Sequence, residues 1–192
     1  MRTHRTCLEM RGHSHVASPV QLDGFRVVEI TGTEPVALTY ELRYRVWSKE
    51  RQLIGNLQRA GVIKDEHEVH ARHWAAFSRE GTLVASARLC IHEQQQDLPD
   101  AYCYTELDVP SPVASINRLV VERCARNRGV AQMLDAQRIE AAKKAGAACI
   151  VAAPTSDMRV RALERFGFSL TDSRSKSHYL EDFSLSVMVL YL

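Results

Sequence analysis

The stretch that decides the fold runs from Ile116 to Gln137 and reads INRLVVERCARNRGVAQMLDAQ. Its first residues belong to an apolar, β-branched segment, Ala114–Val121, which predicts a strand. A polar loop, Glu122–Gly129, comes next, and apolar residues then recur at helical spacing from about Val130 to Ala145. A strand, a basic loop and a helix therefore follow one another directly.

The end of this loop, residues 126–131 (RNRGVA), is suited to holding phosphate groups. The first N–H groups of a helix have no partner within the helix and carry a partial positive charge, so they attract anions. Gly129 has no Cβ and tolerates positive φ, which lets the backbone approach a phosphate closely. Arg126 and Arg128 add positive charge at the entrance, and Ala131 keeps the first turn small. The alternative is a solvated basic turn that only connects two elements.

Strand and helix signals along the rest of the chain predict a mixed sheet. Thr33-Glu34-Pro35 is typical of a helix start, and Leu38, Leu42, Val46 and Leu53 then form one apolar stripe. The other candidate elements are the strands 24–31, 73–78, 83–91, 147–153, 168–171 and 185–192 and the helix 157–165. This order gives a mixed sheet with helices on its faces.

Length and composition predict one ordinary globular domain. The 192 residues suit a single core, and we expect a loose, disordered leader over residues 1–22 before a domain over residues 23–192. A net charge of +2 gives no reason to expect a nucleic-acid partner, and no apolar run approaches the roughly 18 residues of a membrane span. Five cysteines without a C-x-x-C pair favour reduced thiols in the cytoplasm.

Residues 116–137 resemble the central motif of the GNAT superfamily of acyltransferases, in which R-x-x-G-x-A binds the pyrophosphate of coenzyme A. Ala162–Phe168 (ALERFGF) is similar to the next motif of that superfamily, a short helix that ends in Gly-Phe. The two motifs stand in the right order and cover roughly residues 113–192. The resemblance implies an α/β (α+β) fold with a mixed, mostly antiparallel central sheet and helices on both faces.

The resemblance also implies a donor, acyl-CoA or an acyl-phosphopantetheine, and a site for it. In such proteins the strand before the loop separates from its neighbour, and its backbone pairs with the pantetheine arm. A backbone N–H there would stabilise the oxyanion of the tetrahedral intermediate. The implied cofactor-binding residues are Leu119, Val120, Val121, Arg126, Arg128, Gly129, Val130 and Ala131.

The amino half carries a second set of motifs: LRYRVW at residues 42–47, DEHE at 65–68 and ARL at 87–89. They resemble the amino half of acyl-homoserine-lactone synthases and of the related N-acyl amino acid synthases, which take long acyl chains from acyl carrier protein. The lactone synthases carry a Glu where this chain has Ser115, which speaks against a homoserine-lactone product. The residues that match are Arg43, Trp47, Asp65, Glu68, Arg88 and Arg118.

These matches give candidate roles in catalysis and substrate binding. An amine nucleophile must lose a proton, and a carboxylate or a water held by one is a suitable base. We therefore predict Glu68, Asp65 and Arg43 as catalytic residues, with Glu122 as a further candidate base. The predicted substrate-binding residues are Trp47, Arg88 and Arg118. The alternative stays open that the arginines and acids form a buried ion-pair network with a structural role.

The histidines His67, His70 and His73 do not predict a metal site. A zinc-binding H-E-x-x-H helix needs histidines four residues apart, and here they are three apart. We expect no metal in this protein.

The sequence thus predicts an N-acyltransferase that moves an acyl group from a phosphopantetheine thioester to a small-molecule amine. The donor is CoA or acyl carrier protein, and the amino half favours long-chain N-acyl amino acid synthesis. A conventional acetyl-CoA-dependent N-acetyltransferase and a non-catalytic CoA-binding module are the alternatives.

Overall fold

A sheet of eight strands organises the part of the chain that the computed structural model describes, residues 20–22, 24–50, 60–177 and 184–192. The strands are β1 (Val20–Leu22), β2 (Phe25–Ile30), β3 (Arg72–Phe77), β4 (Leu83–His92), β5 (Val113–Val121), β6 (Cys149–Ala152), β7 (Ser169–Lys176) and β8 (Ser184–Tyr191). The helices are α1 (Thr33–Glu50), α2 (Val130–Lys144) and α3 (Asp157–Glu164). Short helical turns of three or four residues lie in the connecting segments.

The strands lie in the order β1-β2-β3-β4-β5-β6-β8-β7, and every neighbouring pair is antiparallel except β5 with β6. The predicted mixed, mostly antiparallel sheet is confirmed. The predicted succession of strands and helices also holds from β2 onward. The exception is β1, which forms a hairpin with β2 through Gly24 at φ +83.

The parallel pair β5–β6 is short. It joins Val113–Ser115 to Cys149–Val151 and then stops, although β5 continues to Val121 along β4 on its other edge. On its far edge, β6 pairs with β8. Beyond Ser115 the two strands therefore part, and a gap opens in the middle of the sheet.

Helices cover both faces of the sheet, as expected. Leu134 of α2 is fully buried in the main core, which also contains Ala85, Ala87 and Leu89 of β4. Leu42 and Val46 of α1 pack with Val120 of β5 in a separate, smaller cluster. Two different apolar faces therefore bind α1 and α2, and the gap between β5 and β6 lies between these layers.

The stripe predicted on α1 is partly wrong. Leu42 and Val46 are buried, but Leu38 is 49% exposed, and Leu53 lies outside the described residues. The buried positions of the helix are Thr39, Leu42, Arg43 and Val46. The buried face of α1 therefore includes Arg43 and not Leu38, because Arg43 pairs with the buried Glu68 beneath the helix.

Two further expectations change. Val20–Leu22, which we assigned to the leader, form β1 because they pair with β2; the rest of the leader, residues 1–19, lies outside the described residues. The alternation of side chains along a regular strand predicts that Leu83 of β4 shares the face of Ala85, and this expectation is wrong. The pairing with β3 skips Val84, and this bulge turns Leu83 towards the α1 cluster.

The orientation of α1 gives a test with two leucines on one helix. Leu42→Ala removes a fully buried side chain and is expected to lower the free energy of unfolding by about 2–5 kcal/mol. Leu38→Ala is expected to change it by about 0.5 kcal/mol or less, because the side chain is half exposed. Urea unfolding of both variants measures the difference, and equal losses would contradict this packing of α1.

Candidate active site

A bulge in β5 shapes the gap. Ser86 pairs with Val120 and Arg88 pairs with Asn117, so Arg118 and Leu119 both lie opposite the single residue between Ser86 and Arg88. Arg118 has φ +52, a left-handed conformation that non-glycine residues rarely adopt. Because a bulge bends and twists its strand, this extra residue accounts for the divergence of β5 from β6.

The Arg118 side chain is fixed by two carboxylates. Its Nη2 lies 2.7 Å from Oδ2 of Asp65, and its Nη1 lies 3.2 Å from Oδ2 of Asp100. Strained conformations persist where the surroundings over-determine them. The ion pairs hold Arg118 from outside the strand and so help to keep it in the bulged conformation.

Asp65 and Glu68 share the remaining arginines of this cluster. Arg88 binds both oxygens of Asp65, at 2.6 and 3.0 Å, and donates from Nε to Asn117 Oδ1 at 2.6 Å. Oε1 of Glu68 lies 2.5 Å from Nη1 of Arg43 and 2.8 Å from Nη1 of Arg88. The structure therefore brings together Arg43, Asp65, Glu68, Arg88 and Arg118 and adds Asp100, which was not predicted. The further candidate base Glu122 lies outside this cluster and binds Arg45 of α1 at 2.8 Å.

The electrostatics of this cluster favour the ionised forms. Burial alone would raise the pKa of Asp65, but hydrogen bonds from Arg88 and the charges of Arg88 and Arg118 hold it well below its usual range. Burial lowers the pKa of Arg43 to about 10, while the Glu68 carboxylate opposes this shift. At neutral pH, Asp65 is thus an ionised ligand of two guanidinium groups.

The loop 126–131 has the backbone form expected of an anion site. Gly129 stands at the N-cap of α2 with φ +75 and, as a glycine, offers no side chain to cap this helix end. Asn127 also has positive φ, +57. The first N–H groups of the 15-residue helix α2 are therefore open to a ligand, and they face the gap between β5 and β6.

The arginines of this loop differ in their placement. Arg126 donates to the carbonyl of Val121 at 2.9 Å and to Glu50 of α1 at 2.6 Å. Arg128 lies over the ring of Phe25, 4.5 Å from its centroid, and is not among the residues that line the gap. Glu50, whose carboxylate also binds Arg123, was not among the predicted site residues.

The gap forms a cleft of about 460 Å³, within the range of ligand sites in proteins. The predicted residues that line it are Trp47, Arg118, Leu119, Val120, Val121, Arg126, Gly129, Val130 and Ala131. Arg43, Arg88, Asp65 and Glu68 lie behind this wall, within the ion-pair cluster. Asp65 reaches a separate, shallow hollow beside Asp100.

Two fully buried charged residues of α2, Asp135 and Arg138, also line the cleft. Neither residue was predicted to belong to the site. A signal was present, because Arg138 stands four residues after Leu134 and three before Ala141, within the apolar stripe of the helix. Asp135 binds Arg159 of α3, and Arg138 binds the backbone beside the bulge.

Within the described ranges, no three His, Cys, Asp or Glu side chains come close enough to hold a metal ion. Among the helices of the same ranges, none combines the length and the apolar character needed to cross a bilayer.

Comparison with known proteins gives the family. The model of the acetyltransferase (GNAT) family matches residues 37–168, more than half of the chain. This chain belongs to the GNAT family and is an acyltransferase. No curated protein sequence gives a significant match.

Solved structures share the fold. FeeM, an N-acyl amino acid synthase from uncultured soil microbes, has a TM-score of 0.65 at 11% identity, over 91% of this chain and 92% of its own. A GCN5-related N-acetyltransferase from Kribbella flavida has a TM-score of 0.59 at 18% identity, over 88% and 99%. NAA60 of Arabidopsis thaliana, solved with acetyl-CoA, has a TM-score of 0.61 at 13% identity, over 88% and 98%. At these identities the likeness concerns the fold.

The buried His73 beside the ion-pair cluster predicts a pH dependence of stability. Burial lowers its pKa to about 4, helped by the charge of Arg43, from about 6.5 in an unfolded chain. Between these values the unfolded chain binds a proton that the folded chain does not. The free energy of unfolding should therefore decrease as the pH is lowered from about 6.5 to about 4, by up to about 1.4 kcal/mol per pH unit.

His73→Gln is expected to remove this part of the slope in urea unfolding between pH 6.5 and about 4, while the exposed control His70→Gln keeps it. The ionised Asp65 acts at lower pH, since its contribution is lost only below its unfolded pKa of about 3.9. A wild-type slope in His73→Gln would contradict the burial of a neutral imidazole.

Proposed function

We propose that this protein is an N-acyltransferase that moves an acyl group from a phosphopantetheine thioester to the amine of a small molecule. The observation that carries this proposal is the continuity of the cleft. The gap between β5 and β6 leads directly to the uncapped start of α2. An extended arm with a diphosphate at one end matches that shape.

The diphosphate would lie at the start of α2. The N–H groups of Val130 and Ala131 attract an anion, and Gly129 leaves room for it at positive φ. Arg126 stands at the same edge, where it holds Glu50. A phosphate could compete with that carboxylate for the guanidinium group.

The pantetheine arm would run along the free edge of β5. Beyond Ser115 this edge pairs with no strand within the described part of the chain, and Leu119, Val120 and Val121 line the cleft there. The amide groups of pantetheine can pair with a strand edge as a peptide does. The thioester carbonyl would then lie near the bulge.

The reaction forms one bond and breaks another. The neutral amine attacks the thioester carbonyl carbon, and a backbone N–H of β5 stabilises the oxyanion that results. The C–S bond then breaks, and the thiolate leaves with the electron pair. A thiol pKa of about 8.5 lets it depart without a dedicated acid.

For Asp65, Glu68 and Arg43 we propose a positioning role. Asp65 is ionised and bound to Arg88 and Arg118, and the Glu68 side chain is only 6% exposed. Neither carboxylate lines the cleft. Water in the cleft is therefore the better acceptor for the proton of the amine, and the acids act by holding Arg118 in place.

Arg118 and Trp47 are the proposed acceptor- and acyl-binding residues. Both line the cleft, and the Arg118 guanidinium is the cation that the bulge brings to its wall. A carboxylate of an amino acid could bind there. Arg88 would act through Asp65 and Asn117 instead, because its side chain is fully buried.

The acyl chain itself would be long. Apolar side chains that line the cleft include Val46, Trp47, Ile116, Phe166 and Leu185, and each buried CH₂ contributes about 0.8 kcal/mol. Trp74, Phe77 and Phe168, which could also have formed a tunnel, do not line it. Leu53 and Ile54, two further apolar residues of the sequence that could line an acyl tunnel, lie outside the described residues. The fold shared with an N-acyl amino acid synthase supports the same reading.

Two donors are compatible with this site. The exposed Arg123 and half-exposed Arg126 near the mouth would suit an acidic carrier protein as well as CoA. A conventional acetyl-CoA-dependent reaction is the second candidate, favoured by the match of residues 37–168 to an acetyltransferase family. Both would take place in the cytoplasm, where these donors occur.

Replacing Gly129 tests the phosphate site. Gly129→Asp is expected to lower CoA affinity by at least about 100-fold in titration calorimetry, because a side chain and a negative charge would occupy the phosphate position. Gly129→Asn separates the effect of size from that of charge. Gly146→Asp is the control, since Gly146 also has positive φ, +78, next to the other end of α2, and a Cβ added there would meet no atom of the described residues within 4 Å.

Equal CoA affinity in folded Gly129→Asp and wild type would remove the loop from the site. A loss of affinity in Gly146→Asp as large as that in Gly129→Asp would assign the effect to backbone strain.

A donor series tests the acyl group. Saturated donors from acetyl to palmitoyl, on CoA and on carrier protein, are offered with a pool of free amino acids, and the products are identified by mass spectrometry. We expect kcat/KM to rise with chain length, since each CH₂ buried in the cleft contributes about 0.8 kcal/mol. Turnover of acetyl-CoA alone would overturn the long-chain proposal and leave the acetyltransferase.

A further inference from the structure

A second cluster of buried charged residues lies on the opposite side of the bulge from Asp65 and Asp100, the carboxylates that bind Arg118. Asp135 and Arg138 of α2 are fully buried and bound to each other. Arg159 of α3 binds both oxygens of Asp135, each at 2.5 Å. The cluster links α2 to α3 across the cleft, whose lining includes all three side chains.

Arg138 contacts the backbone of the bulge itself. Its Nη1 donates to the carbonyl of Arg88 at 3.1 Å and to the carbonyl of Asn117 at 3.2 Å. These two residues are the last regular pair before the extra residue Arg118. Nε of Arg138 binds the carbonyl of Leu134, one turn earlier in α2.

Every nitrogen of this guanidinium therefore has a partner, and the partners differ in kind. Nη2 donates to Asp135, which fixes the plane of the guanidinium group. Nη1 donates to two backbone carbonyl groups on the neighbouring strands β4 and β5. A planar fork can hold several acceptors in fixed directions, which an ammonium group cannot do. The arrangement ties the peptide planes at the bulge to α2.

A simpler solution was available for stability alone. Replacing a buried ion pair by apolar side chains of similar volume is often neutral or stabilising, and the neighbouring positions Leu134 and Ala142 are already apolar and fully buried. Burial of the Arg138 guanidinium lowers its pKa to about 10. Unlike an apolar side chain, Arg138 also holds the carbonyl groups of Arg88 and Asn117 by hydrogen bonds.

We propose that Arg138 is a positioning residue of the acyl transfer, which sets the peptide planes of β5 at the bulge so that its N–H groups point at the thioester carbonyl. Asp135 orients Arg138, and Arg159 holds Asp135 from α3. This inference rests on the proposed function. It assigns the geometry of the oxyanion site to a side chain that does not touch the reacting atoms.

The test is the carbonyl resonance of bound [1-¹³C]acetyl-CoA, read by NMR in wild type, Arg138→Met and Arg138→Lys. Polarisation by an N–H donor moves this resonance downfield on binding. We expect the bound resonance to return towards its position in free acetyl-CoA in Arg138→Met. Arg138→Lys should recover thermal stability but not the downfield shift, because one ammonium group cannot hold both carbonyls and Asp135 in place.

Turnover with the best donor and amine from the donor series supplies a second reading. Arg138→Met should lower kcat on the order of 100-fold and leave the KM for the donor within about threefold, since the phosphate loop is untouched. Leu134→Ala is the control on the same helix. It removes a fully buried apolar side chain outside the cleft and should lower the melting temperature without changing the resonance or kcat.

The outcomes separate this inference from the function on which it rests. If wild type does not bind acetyl-CoA and turns over no thioester, the proposed function fails and Arg138 has no reaction to position. If wild type binds and polarises the carbonyl, and Arg138→Met does so equally with an unchanged kcat, Arg138 is structural only. A fall in kcat of the same size in Leu134→Ala would also overturn the assignment.

Discussion

The site depends on one interruption in the sheet, the end of pairing between β5 and β6 after Ser115 and Val151. Had the parallel pair continued, the middle of the molecule would be an unbroken sheet with no cleft. The extra residue Arg118 bends β5 away, and a non-glycine residue at φ +52 needs support to stay there. The rest of the architecture supplies that support from both faces.

On one face, the carboxylates of Asp65 and Asp100 hold the Arg118 side chain. Arg88 pairs with Asp65, and Arg43 pairs with Glu68. On the other face, Arg138 holds the neighbouring backbone carbonyls. Buried charges of this kind are expensive unless fully paired. Their concentration around one bulge explains why α1 turns a buried arginine, and not Leu38, towards the sheet.

The fold and the backbone form of the loop 126–131 were predictable because their signals are local. A strand, a loop with Gly129 and an amphipathic helix follow one another in sequence, and the structure has the same elements within a few residues. The charged residues Arg43, Asp65, Glu68, Arg88 and Arg118 could be grouped by resemblance. Their distances could not, because the partners lie up to 53 residues apart in the chain and meet only when the sheet forms.

Other parts of the site gave weaker signals. Asp100 follows from neither periodicity nor motif, since it lies in an irregular segment between β4 and β5. Arg138 and Asp135 interrupt the apolar face of α2, and a charged residue at a buried helical position indicates a partner without naming it. The bulge at Arg118 leaves no trace in composition, because any strand residue could have been the extra one.

A crystal structure of the protein with coenzyme A bound tests the central claim most directly. The account predicts the diphosphate within hydrogen-bond distance of the backbone N–H groups at the start of α2, and the pantetheine arm between β5 and β6 with its thiol near the bulge at Arg118. Coenzyme A bound at another surface, with the gap between the two strands left unoccupied, would contradict it.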